Sequence, residues 1–134
     1  MEGETDIIVG INTEKGSDNN DETIEFLDGH EYRKAFEILS KRAEDGDNLS
    51  RCRMGVMYYE GLGIDKRPLK AFELIKESYN PDCPETVFQL GKCHFEGIGT
   101  KKNEELGFEM IISAAEVGYS SAENYMASAY YKGK

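Results

Sequence analysis

The sequence predicts an all-α solenoid assembled from stacked helix-turn-helix units. Two observations point to the stacking: a block containing a small residue, aromatics and G-x-G recurs at a shift of 36 residues, and a second block, A-F followed by an aliphatic, recurs at the same shift. A third points to the helices: no stretch of the two repeated blocks alternates apolar and polar residues with the period of two that a half-buried strand requires.

The first block maps Met54, Gly55, Tyr58, Tyr59, Glu60, Gly61 and Gly63 onto Leu90, Gly91, His94, Phe95, Glu96, Gly97 and Gly99. All but the last map again onto Met126, Ala127, Tyr130, Tyr131, Lys132 and Gly133. In the second, Ala35, Phe36 and Leu39 map onto Ala71, Phe72 and Ile75, then onto Gly107, Phe108 and Ile111. A period in this range marks a stacked repeat, because each unit leaves an apolar face that only its neighbour can cover.

Residues 1–22 carry seven acids and one base, with only Ile7, Ile8, Val9 and Ile11 to bury, and are expected to be a disordered acidic tail. Residues 23–134 form the repeat domain. Within it, 23–46 supply the second helix of a first unit, 47–82 and 83–118 are whole units, and 119–134 is a half unit.

The first helix of a unit, helix A, covers Leu49–Tyr59, where Ser50, Met54, Gly55 and Tyr58 share a face. It ends at Gly61, since a left-handed residue closes a helix at little steric cost when it is glycine. Pro68 suits the first turn of helix B, whose apolar stripe is expected to comprise Leu69, Phe72, Leu74, Ile75 and Tyr79. In the next unit Asn103 is the expected N-cap, with Glu104 and Glu105 favourably placed in the first turn. Gly55 facing Ala71 would bring the two backbones close together, and larger side chains there would overpack the hairpin. The G-x-G pairs follow a helix, whereas a phosphate loop places its glycines between a strand and a helix, so they are read as helix caps.

The segments MGVMYYEGLGIDKRPLKAFELI (54–75), LGKCHFEGIGTKKNEELGFEMIISAAEVG (90–118) and MASAYYKG (126–133) resemble the Sel-1-like repeat family, a relative of the tetratricopeptide repeats. His94 stands where that pattern usually has tyrosine, and Gly107 where it usually has alanine. The resemblance implies a right-handed α/α superhelix whose concave surface binds a protein or peptide, commonly as an adaptor or scaffold, without chemistry of its own. The alternative is a hydrolase or small-ligand-binding protein using the same groove, as in a cysteine-rich secreted branch of the family. That branch pairs cysteines at regular repeat positions, and Cys52, Cys83 and Cys93 share none.

No catalytic residue, metal ligand or cofactor is assigned. His94, Cys93 and Cys83 could be read as three metal ligands, but consecutive helical residues point about 100° apart and a fourth ligand is missing. His94 is expected to fill an aromatic slot, Cys93 to face a groove, and His30 to be a surface or cap residue. A net charge of -10 disfavours nucleic acid and anionic lipid, and no apolar run reaches the roughly 18 to 20 residues of a membrane helix. The start, MEGETDIIVG, lacks a signal peptide's pattern and the odd cysteine count suits reduced thiols, so the expected location is cytoplasmic.

In a solenoid helix A usually lines the concave side. Taking i, i+4, i+7 as its free face, the expected partner-binding residues are Arg53, Met57 and Glu60, then Gln89, Cys93 and Glu96, then Tyr125, Ala129 and Lys132. A weak self-association through the C-terminal helix, which lacks a following helix B, is also expected.

Overall fold

A computed structural model of the chain describes the backbone of residues 29–133 and the side chains of residues 31–129. The acidic tail, His30, Tyr130 and Lys132 therefore lie outside the described side chains. Six helices follow one another: α1 (Gly29–Glu44), α2 (Asn48–Glu60), α3 (Pro68–Ser78), α4 (Pro84–Glu96), α5 (Glu104–Glu116) and α6 (Ser120–Gly133). No strand occurs among the described residues. The A helices α2, α4 and α6 begin 36 residues apart, as do the B helices α3 and α5.

The turn inside each unit is built twice with the same atoms. Gly61 and Gly97 close α2 and α4 with φ of 70° and 76°, each donating its amide over 2.8 Å to the carbonyls of Met57 and Cys93. The Arg67 amide then reaches back to the Tyr58 carbonyl (2.9 Å), and the Asn103 amide to the His94 carbonyl (2.7 Å). The second glycine has a different task. A Cβ on Gly99 would lie 2.1 Å from the Pro68 carbonyl oxygen, so this turn stacks directly on the start of the preceding helix B. The G-x-G at 97–99 is thus one cap and one docking point. Pro68 and Pro84 occupy the first turns of α3 and α4, and the Asn103 side chain caps α5 by accepting from the Leu106 amide.

The small residues set the approach of the two helices within each unit. A Cβ on Gly55 would meet the Ala71 carbonyl oxygen at 2.9 Å, and one on Gly91 would meet Met110 Cβ at 2.9 Å and the Gly107 carbonyl oxygen at 3.1 Å. Burial is shared between units, as a one-dimensional stack requires. Ala35 and Leu39 of α1 pack with Met57 and Leu62; Cys52 and Val56 of α2 pack with Ile75, Leu90 and Cys93; Val87 and Phe88 of α4 pack with Ile111, Ala114 and Ala122.

Aromatic contacts step along with the repeat. Phe36 meets Tyr58 edge-to-face at 5.4 Å, and one unit on, Phe72 meets His94 at 5.7 Å. His94 occupies the aromatic slot, half-buried.

The expected apolar stripe of α3 requires correction. Leu69 is 74% exposed and Tyr79 is 42% exposed, while the buried stripe is Ala71, Ile75 and Ser78. Helix B packs inward through a narrow i, i+4, i+7 strip, with Ile75 buried as expected and Phe72 partly buried beside it, while Leu69 and Tyr79 lie toward the outside.

Candidate functional site

The three A helices surround a cavity of about 290 Å³, and among the described residues none of α1, α3 or α5 lines it. From α2 come Val56, Tyr59 and Glu60; from α4 come Glu85, Phe88, Gln89 and Lys92. Ser121, Asn124, Tyr125 and Ser128 of α6 complete the wall with Tyr119 of the preceding turn. Stacking places these side chains together, since Val56, Lys92 and Ser128 are the same register position in successive units, and so are Glu85 and Ser121.

Polar contacts across the units hold the floor and rim in place. Arg53 is 5% exposed and binds Glu85 with both ends of its fork, Nε to Oε2 at 2.9 Å and Nη2 to Oε1 at 2.8 Å. Such a bidentate geometry combines energy with orientation. The Tyr59 hydroxyl donates to Gln89 Oε1 at 3.1 Å, and the Tyr125 hydroxyl donates to a Glu96 carboxylate oxygen. Tyr125 also packs edge-to-face against Phe88 and Phe95. Burial pushes the Tyr59, Tyr119 and Tyr125 phenols above their ordinary value of 10, so all three are neutral donors at neutral pH.

Lys92 stands among three rings. Its Nζ lies 5.1 Å from the centroid of Tyr59, 5.7 Å from that of Phe88 and 5.5 Å from that of Tyr125. Rings from three successive units thus hold one ammonium through their electron-rich faces.

Of the residues expected on the free face, Glu60, Gln89 and Tyr125 line the cavity. Arg53 lies behind it, acting through Glu85; Glu96 flanks it, bonded to Tyr125; Ala129 is half-buried and is not among the lining residues. Lys132 lies outside the described side chains. Two positions are corrected: Met57 and Cys93 are both 0% exposed and belong to the core. Position 57 points back to Ala35 and Leu39 of the preceding unit, and position 93 likewise to Cys52, Val56 and Ile75. The groove is lined one residue earlier on the helix, at Val56, Lys92 and Ser128 rather than at 57, 93 and 129, with Val56 itself only 2% exposed. Read that way, the period alone would have found Val56, Lys92 and Ser128. Tyr59, Phe88 and Tyr119 carried no separate signal, because core and groove aromatics look alike in sequence.

The remaining chemistry is sparse. All three cysteines are free; burial pushes the Cys52 thiol up and raises Cys93 to about 12. Among the described residues no cluster of His, Cys, Asp and Glu could hold a metal ion, and no helix is long and apolar enough to cross a membrane. Asn48 is engaged internally, donating through Nδ2 to the Ser78 carbonyl at 2.8 Å.

The Sel1 repeat family model matches residues 49–80 and 84–119, together half of the chain. A Sel1 repeat protein from Oxalobacter formigenes has a similar structure, with TM-score 0.61 at 23% identity, covering 77% of this chain and 30% of that one. A protective antigen present in uropathogenic Escherichia coli strains and displaying an SLR fold also matches, with TM-score 0.61 at 24% identity, over 76% and 22%. The chain therefore spans less than a third of the length of these two relatives, and at such identities the likeness concerns the fold. Comparison with curated proteins gave no match. Two adjacent matching repeats, built from paired helices with G-x-G turns and stacked as in the solved Sel1 structures, make this chain a member of the Sel1 repeat family.

Proposed function

We propose that the chain is a non-enzymatic interaction module, an adaptor or scaffold, that holds a segment of a protein partner in the groove formed by α2, α4 and α6. The observation that carries this reading is the composition of the cavity wall: three consecutive units each contribute side chains to one continuous surface. Sel1 repeats generally serve as protein-interaction modules. A cavity of about 290 Å³ lies at the lower end of the range for small-molecule sites, a size suited to one or two side chains of a partner. The residues proposed to contact the partner are Glu60, Gln89, Tyr125 and Lys92, with Arg53 and Glu96 orienting them. Buried free thiols suit a reducing cytoplasm. A weak self-association through α6 is part of the same reading, and sedimentation across a wide concentration range tests it.

Photo-crosslinkers placed singly at Glu60 and Ser128 in the groove, and at Glu73 and Glu109 on the outer helices, test the use of the groove. The groove positions should capture one shared partner and the outer positions should not. Capture from the outer helices alone would overturn the reading.

A further inference from the structure

Resting on the groove reading above, we infer that Lys92 is an anchor for an acidic side chain of the partner, so that the groove selects segments carrying aspartate or glutamate. The charged residues of the lining are Glu60, Glu85 and Lys92, and of these only Lys92 can hold an anion. Glu85 is committed to Arg53 through two hydrogen bonds, and Glu96 beside the cavity accepts from the Tyr125 hydroxyl. Glu60 also lines the wall. Lys92 contributes the one ammonium of that lining, and among the described residues it makes no ion pair; its contacts are the three rings.

A lysine on a free surface must give up rotamer freedom before it can hold a carboxylate. Here Tyr59, Phe88 and Tyr125 already confine the stem and head, which lowers the ordering cost that a partner would otherwise have to offset. Hydroxyl and amide groups of Ser121, Asn124 and Ser128 line the same cavity and can donate to the second carboxylate oxygen. The rings supply no formal negative charge, so a carboxylate remains the stronger partner for the ammonium.

Blocked heptapeptides that differ only in a central Glu, Gln or Lys, with a fourth carrying Gln and a free C-terminal carboxylate, are titrated into the full chain and followed by NMR at the Lys92 side chain. The Glu peptide should bind about tenfold more tightly than the other three. Lys92→Met, which keeps an unbranched stem over the rings, should remove that preference, and Lys92→Glu should turn it toward the Lys peptide. Preference for the Lys peptide by the unsubstituted chain, or an unchanged Glu preference in Lys92→Met, would overturn the inference. So would selection of the free C-terminal carboxylate over the internal glutamate. Groove binding without charge preference sinks the Lys92 anchor and leaves the groove reading standing, whereas absence of any peptide from the groove sinks both.

Discussion

Substituting Gly91 by leucine tests the closest approach of helix A to helix B. The Cβ alone would sit 2.9 Å from Met110 Cβ and 3.1 Å from both the Gly107 carbonyl oxygen and Ile111 Cγ1, where ordinary contact is 3.4–4 Å. Ile111 is 1% exposed and Gly107 is itself buried, so the three further carbons of leucine have no room and α5 must move outward. Overpacking of this kind costs about 3 kcal/mol. Replacing a mid-helix glycine recovers about 1 kcal/mol of propensity, leaving a net loss of about 2 kcal/mol. For a domain of this size that lowers the melting temperature by roughly 7–9 °C. The internal control is Ala127→Leu, at the same register on exposed α6, where the change should stay within about 0.5 kcal/mol. Calorimetric melts that coincide for the two variants would refute the packing of α4 on α5 described here.

Three further outcomes are expected. Glu85→Ala should cost about 3 kcal/mol in denaturant melts because it removes the carboxylate that pairs with both ends of the buried Arg53 fork, whereas the double variant Arg53→Met with Glu85→Leu should lie close to the parent. Burial lowers the His94 pKa below its ordinary 6.5, so the unfolded chain binds the proton more readily; the stabilisation is present above that value and is lost as pH falls through the folded-state pKa, and His94→Tyr should flatten this part of a stability-pH profile. At neutral pH a thiol reagent should modify the half-buried Cys83 first, and Cys52 and Cys93, both 0% exposed, only as the chain unfolds; mass mapping of the modified peptides decides.

The features legible in the sequence are those carried by backbone requirements and by spacing. Gly61 and Gly97 adopt the left-handed conformation expected of helix caps, Asn103 caps α5, and Gly55 meets Ala71 because only small residues fit there. The rotation of helix A about its own axis was not legible. A period of 36 residues identifies equivalent positions, but 53, 57, 60 and 53, 56, 60 are both acceptable helical faces. Contact with the preceding unit decides between them, and it draws Met57 and Cys93 inward. Lys92 reads in sequence as one more surface lysine; its role depends on rings from α2 and α6 that approach only when three units stack. Leu69 was within reach of the sequence: it lies about 200° around the helix from Ala71, and the 36-residue shift maps it onto Arg33 and Glu105, which marks the position as outward.

The most direct test of the groove as the binding surface is the affinity of the captured partner for two matched variants, measured by titration calorimetry. Ser128→Trp fills the cavity with a neutral bulky side chain, and Glu109→Trp places the same group on the exposed outer side of α5. Binding in the groove predicts at least a roughly tenfold loss for Ser128→Trp and little change for Glu109→Trp. Full affinity in Ser128→Trp with a loss in Glu109→Trp would move the interaction to the outer helices and contradict the central claim.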